Sequence, residues 1–345
     1  MHAYPVAPSE GLLKLDAMEN PYELDESLRR ALADRLASLS INRYPVPSYA
    51  RLRSLIAQRL EVPDGYPVVV GNGSDELISM LGLAVAGTGR PILAPQPSFV
   101  MYEIGATLAR CRFVGVPLAR GFTLDGEAML AAIRAEQPAL VYLAYPNNPT
   151  GNAFDDAVIE RIIATAPGLV VIDEAYQPFA QRSWMPRLQE FPNLVVMRTV
   201  SKIGLAGIRI GYLAADPGIT GQLEKVRPPY NISVLDEAAA EFALEHHEVL
   251  AAQARRLVVS RDWLAAELAG IDGVEITPSL TNFLLARVPD ADAVHRGLVE
   301  RGILVRNVSR MHPQLANCLR ISVGTQADCE RLARALREVL DLLVV

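Results

Sequence analysis

Short, almost wholly apolar runs punctuate the chain: Val68-Val69-Val70, Ile92-Leu93, Val141-Tyr142-Leu143, Val170-Val171-Ile172, Leu194-Val195-Val196-Met197 and Ile208 to Ala214. Unbroken hydrophobicity, rather than alternation, is what a strand covered on both faces requires, so these runs predict a mainly parallel sheet. Between them the period lengthens to that of a helix. Leu52, Leu55, Ile56 and Leu60 share one stripe after Ser48, and Val158, Ile159, Ile162 and Ile163 do the same after Asp155, which is placed to cap that helix. Residues from about Asp236 to Ala269 read as one long helix. After Gly273 strands are expected near Val274–Ile276, Phe283–Ala286, Ile303–Arg306 and Leu319–Val323, with a helix near Asp292–Arg301 and another at the end. The pattern predicts an α/β protein: a large domain over residues 41–255 with its sheet flanked by helices, a smaller α+β domain over 256–345, and an arm, 1–40, joining the small domain.

Composition narrows the field. Half of the 345 residues are apolar and 21% are charged, which excludes a disordered chain. The net charge is −6 and no run of five Lys or Arg occurs, so nucleic acid is not an expected partner. The stretch Leu77 to Thr88 is too short to cross a bilayer and is broken by Gly82 and Gly87, so no membrane is expected either. The opening MHAYPVAPSEGLLKLD lacks the basic and apolar regions of an export signal. Cys111, Cys318 and Cys329 are odd in number without CxxC spacing, which argues against a disulfide framework or a zinc site and fits a reducing cytoplasm. His246 and His247 are adjacent, so on a helix they point about 100° apart and make a poor metal pair.

Four segments carry candidate chemistry, each at the end of an expected strand. Gly71-Asn72-Gly73-Ser74-Asp75-Glu76 resembles a dinucleotide fingerprint, but Glu76 stands where a third glycine is needed, which disfavours a nicotinamide cofactor. What remains is an anion site, with backbone N–H groups at Gly73, Ser74 and Asp75 at a helix start suited to one phosphate. In Tyr145-Pro146-Asn147-Asn148-Pro149-Thr150-Gly151 two prolines flank two amides and hold an amide side chain at a strand end. Val170-Val171-Ile172-Asp173-Glu174-Ala175-Tyr176 ends a buried strand on a carboxylate that needs a partner, which a cationic ligand would supply. Thr199-Val200-Ser201-Lys202 places a lysine after another strand, with Arg209 seven residues on and opening the next strand. Singly, these are also read as a strand-to-helix turn, a proline turn, a helix cap and a surface lysine. Together a lysine, an acid, an amide and a phosphate site describe a pocket for a phosphorylated aldehyde with a basic ring nitrogen, which is pyridoxal phosphate.

The order GNGSDE, NNPTG, DEAY, SK and R-x-G-Y resembles the fold-type I, class II pyridoxal-phosphate-dependent aminotransferases, and it extends to Leu319-Arg320-Ile321-Ser322-Val323-Gly324-Thr325. Within that group Glu19-Asn20-Pro21, Arg43-Tyr44-Pro45, Pro97 to Tyr102, Ser201 to Gly207 and Asn317 to Arg320 are similar to the histidinol-phosphate aminotransferases. The Lys-to-Arg loop is one residue shorter than in many members, Met18 stands where the family often has Asn, and Tyr145 replaces a small or polar residue.

The resemblance implies that Lys202 carries the cofactor and shuttles the proton, that Asp173 pairs with the ring nitrogen, and that Asn148 and Tyr176 hold the ring's phenolic oxygen. It implies stacking by Phe99 and phosphate binding by Gly73, Ser74, Asp75, Ser201 and Arg209, with Tyr44 arriving from the second subunit of a homodimer to which the arm contributes. Arg320, Arg306 and Asn20 are the implied substrate groups. The implied reaction is transamination between L-histidinol phosphate and 2-oxoglutarate, giving imidazole-acetol phosphate and L-glutamate in histidine biosynthesis. Aromatic amino-acid transamination and phosphothreonine decarboxylation share the scaffold.

Overall fold

The computed structural model describes residues 8–343; the first seven residues of the expected arm, with the start of the segment read for an export signal, lie outside the described residues. The strands are β1 Leu13–Leu15, β2 Val68–Asn72, β3 Ile92–Gln96, β4 Phe113–Pro117, β5 Leu140–Ala144, β6 Leu169–Asp173, β7 Leu194–Thr199, β8 Ile210–Ala215, β9 Glu275–Thr277, β10 Phe283–Arg287, β11 Ile303–Asn307 and β12 Cys318–Ser322. In β6, Val170 and Ile172 enter one apolar cluster with Ile159 and Ile162, while Val171 enters another with Ile78 and Leu213. Successive side chains of a strand point to opposite faces, so both faces of this sheet are covered and the apolar runs are explained.

The large sheet has the order β2-β8-β7-β6-β5-β3-β4. Pairing is parallel from β7 through β6, β5 and β3 to β4, and antiparallel on both sides of β8. One edge of the sheet therefore collects the carboxyl ends of β2, β3, β5, β6 and β7 together with the beginning of β8. A mainly parallel sheet with helices on both faces is the α/β arrangement the patterning predicts. The smaller sheet, β1-β11-β12-β10-β9, is mostly antiparallel, with β1 of the N-terminal segment added parallel to β11. Leu257, Leu264, Phe283, Ile321 and Leu336 share its core. Among the described residues no helix is long and apolar enough to cross a membrane.

Three local features differ from the expectations. β4 was not anticipated, because Gly115 and Pro117 mask it; it lies at the sheet edge, where a missing N–H costs least. β8 begins at Ile210 rather than Ile208, since Arg209 takes a left-handed conformation with φ 49°. The helix expected from 236 to 269 is two helices, Val234–Glu245 and His247–Ala269, broken at His246. Arg35 and Arg51 hold Glu241 and Glu245 of the first helix, while Leu257 and Leu264 of the second pack under the small sheet. Tertiary packing on two different cores bends a sequence whose propensity is uninterrupted. The expected division between residues 255 and 256 falls inside the continuous helix His247–Ala269.

Candidate active site

The cavity at the strand-end edge is lined by residues at the ends of β5, β6 and β7, by residues of the loops and helices that follow β2, β3, β5, β6 and β7, and by Met18 and Arg209. Such a crevice outside the carboxyl ends of parallel strands is where α/β sheets bind ligands. β2 runs into the helix Gly73–Val85, so the N–H groups of its first turn face the crevice. Gly73 has φ +76°, and a Cβ there would lie 2.4 Å from Arg209 Nη2. Only glycine lets the arginine come this close. Arg209 Nη2 donates to Asp75 Oδ2 at 3.2 Å, and Ser74, Asp75, Ser201 and Arg209 all line the cavity.

The β7 end is organised around Thr199, whose Oγ1 accepts from the Ser201 N–H at 3.1 Å and donates to the Ile210 carbonyl at 3.0 Å. Lys202 follows. Its Nζ lies 3.5 Å from the Ala17 carbonyl and 5.8 Å from the centre of the Tyr176 ring. Burial, followed by the nearby Arg320, pulls its pKa from the usual 10.5 to about 8.

On β6 the Asp173 carboxylate is buried. Its Oδ1 accepts from the Ala175 N–H at 3.1 Å and its Oδ2 from the Tyr102 hydroxyl at 2.8 Å. Burial raises its pKa to about 6 against these two hydrogen bonds. At the β5 end the two asparagines divide their work. Asn147 bonds Ser98, the Pro97 carbonyl and Thr150, so it fastens two loops together. Asn148 faces the cavity, its Nδ2 donating to Tyr176 Oη at 3.3 Å and its Oδ1 accepting from Arg320 Nη1 at 2.8 Å. Arg320 Nη2 donates to the Asp16 carbonyl at 3.0 Å, while its buried Nε has no partner.

Phe99 lines the cavity and meets Tyr102 edge-on, with centroids 5.7 Å apart. These residues fit the phosphorylated aldehyde expected from the sequence: a close backbone approach for phosphate, a lysine of lowered pKa, and a buried acid for a ring nitrogen.

Tyr44, Arg306 and Asn20 are not among the residues that line this cavity. Tyr44 is 78% exposed and stacks on Tyr230 at 4.5 Å, outside the cavity lining of this chain. Arg306 sits on β11 directly opposite Arg320 in the β11–β12 register, so the two side chains leave the same face. Asn20 does not line the cavity. Its amide nitrogen donates to the Ile203 carbonyl and to Gln253 Oε1, and its oxygen accepts from the Tyr22 N–H, so its hydrogen bonds secure the Lys202 loop. Conversely, Tyr102 and Thr199 reach the site unannounced. Tyr102 belongs to the Pro97 to Tyr102 segment, where its spacing of three from Phe99 on a helix start was the available signal. Met18, with φ 54°, also lines the cavity, whereas Tyr145 is buried and donates to Asp156 at 2.7 Å.

Over 341 residues, 99% of this chain and 96% of the relative, the sequence is 56% identical to histidinol-phosphate aminotransferase 1 of Burkholderia lata. Over 333 residues, 95% of this chain and 91% of the relative, it is 58% identical to histidinol-phosphate aminotransferase 2 of Cupriavidus pinatubonensis. The solved histidinol-phosphate aminotransferase from Sinorhizobium meliloti, in complex with pyridoxal-5'-phosphate, matches with a TM-score of 0.85 at 29% identity, covering 99% of this chain and 96% of that one. The family model for aminotransferases of class I and II matches residues 10–336, and the chain belongs to that family.

Proposed function

We propose that this chain moves an amino group between L-histidinol phosphate and 2-oxoglutarate, giving imidazole-acetol phosphate and L-glutamate in histidine biosynthesis, with pyridoxal phosphate as cofactor. The observation that carries the substrate is the 56% and 58% identity, over nearly the whole chain, to two proteins named for it. Bound pyridoxal phosphate supplies an aldehyde that takes up the amino group and a ring that stores the electron pair left when Cα loses its proton.

The chain's own groups then have distinct tasks. Lys202 holds the cofactor at rest and afterwards carries the proton between the substrate Cα and the cofactor C4′. A pKa near 8 leaves a useful fraction of this amine neutral at physiological pH. Asp173 keeps the ring nitrogen protonated, Asn148 and Tyr176 hold the phenolic oxygen, and Phe99 covers one ring face. The backbone N–H groups of Gly73, Ser74 and Asp75, with Ser201 and Arg209, hold the phosphate.

Arg320 and Arg306 meet the substrates. Arg306 stands opposite Arg320 in the strand pair, and the forks of the two arginines suit a phosphate in one half reaction and a carboxylate in the other. Asn20 is assigned to holding the Lys202 loop, not to substrate.

The enzyme works as a homodimer in the cytoplasm, each site completed by Tyr44 of a second copy. Support comes from the exposed apolar group Ile41, Tyr44, Val46, Tyr230 and Leu235, an unusual surface for a lone chain. The experiment is product analysis: the holoenzyme incubated with L-histidinol phosphate and 2-oxoglutarate should yield imidazole-acetol phosphate and L-glutamate in equal amounts. Release of carbon dioxide from phosphothreonine, with no glutamate formed from histidinol phosphate, would replace this reading with the decarboxylase.

A further inference from the structure

Tyr102 is the second residue of the helix Met101–Leu108, and its ring is buried against the sheet. It stacks on Tyr142 of β5 with centroids 4.5 Å apart and planes within 3°, and it meets Phe99 edge-on at 5.7 Å and 89°. The ring is thus held from two directions, which leaves its hydroxyl little choice of aim. That hydroxyl lies 2.8 Å from Asp173 Oδ2. Burial and the facing carboxylate hold the phenol pKa well above its ordinary value, so the oxygen keeps its proton and donates.

A phenol in an apolar layer is costly unless it makes a hydrogen bond, and phenylalanine would fill the same space without that cost. The hydroxyl therefore calls for a task. We infer that Tyr102 is a positioning residue acting through Asp173: its hydroxyl fixes one carboxylate oxygen and favours the ionised form, leaving the remaining lone pairs for the cofactor's ring nitrogen. This rests on the proposed pairing of Asp173 with that nitrogen.

The surroundings show why a donor is needed. Burial above all, and to a smaller extent Asp75 at the start of the helix Gly73–Val85 and the adjacent Glu174, push the Asp173 carboxylate toward its protonated form. Tyr142 and Tyr176 approach from β5 and from the loop after β6, and Lys202, Arg209 and Arg320 supply positive charge on the cavity side. Against the three influences that favour protonation stand two hydrogen bonds, from the Ala175 N–H and from Tyr102. Removing one of them leaves a carboxyl that takes up a proton and no longer attracts a protonated ring nitrogen.

The test titrates cofactor-free protein with two probes, pyridoxal phosphate and its analogue carrying CH in place of the ring nitrogen. Tyr102→Phe keeps the stack and removes only the hydroxyl. It should weaken pyridoxal phosphate roughly 10-fold or more, the size expected for losing a hydrogen bond to a charged group, and leave the analogue within about twofold of wild type. Tyr142→Phe removes the neighbouring hydroxyl of the same stack and should change neither affinity. Equal weakening of both probes by Tyr102→Phe, unchanged binding of pyridoxal phosphate, or an equal effect of Tyr142→Phe would overturn the inference. Asp173→Asn separates the two levels. If it discriminates between the probes as wild type does, the ring-nitrogen pairing itself fails; if it loses that discrimination while Tyr102→Phe keeps it, only the role of Tyr102 fails.

Discussion

Arg320 Nη1 donates to the Asn148 amide oxygen across 2.8 Å, and this fixes the Asn148 nitrogen toward the Tyr176 hydroxyl at 3.3 Å. One guanidinium, proposed to meet the substrate, thereby orients a group assigned to the cofactor. Lysine offers a single point charge and no fork, so Arg320→Lys should lower kcat/KM roughly 10–100-fold in both half reactions. Arg306→Ala should damage mainly one. Separate rapid-mixing measurements with each substrate check this, and equal damage by Arg306→Ala to both half reactions would reassign that residue.

Lys202→Ala should abolish turnover while the phosphate anchors still retain cofactor. Because Tyr44 is assigned to the neighbouring subunit's site, mixing Lys202→Ala with Tyr44→Ala protein under conditions of subunit exchange should create hybrid dimers with one intact site. Activity above that of either variant alone is the expected outcome. A mixture no more active than the average of its parts would remove Tyr44 from the shared site.

Asp173 has a folded-state pKa near 6, above its ordinary 3.8. In cofactor-free protein this group contributes stability below pH 3.8 that is lost as the pH rises through 6, amounting to about 3 kcal/mol when complete. Asp173→Asn carries no such loss. Thermal unfolding of both cofactor-free proteins should show the wild type falling relative to the variant across that interval. Parallel curves would contradict the raised pKa.

Behind Asp173, Glu174 and Arg198 form a buried ion pair at 2.8 Å. Ser183 and the Trp184 N–H donate to the carboxylate, and Arg198 donates to the Leu60 carbonyl at 3.0 Å. Every charge here depends on its partner. Arg198→Met should destabilise the protein by about 3–5 kcal/mol by leaving the Glu174 carboxylate uncompensated, as read from denaturant unfolding. A loss under about 1 kcal/mol would show that the pair contributes little.

Strand positions were legible because a strand covered on both faces needs an unbroken apolar run, as in Val170 to Ile172. Lys202, Asp173 and Asn148 were legible as strand-end groups for the same reason, since each directly follows such a run or its turn. β4 was hidden by an edge strand's tolerance of glycine and proline, and the break at His246 by packing on two cores. Tyr102 acts through another residue from a helix whose spacing is that of ordinary core. Its hydroxyl has meaning only once Asp173 is seen 2.8 Å away. Asn20 shows the converse, a motif residue whose amide is consumed by the Lys202 loop.

The most direct test of the proposed activity is the competition between two amino donors with 2-oxoglutarate as common acceptor. L-Histidinol phosphate should surpass L-phenylalanine in kcat/KM by at least about tenfold if Arg320 and Arg306 meet the substrate as proposed, since guanidinium groups favour a phosphate over an apolar ring. Equal or better use of phenylalanine would contradict the account and place the chain with the aromatic amino-acid aminotransferases.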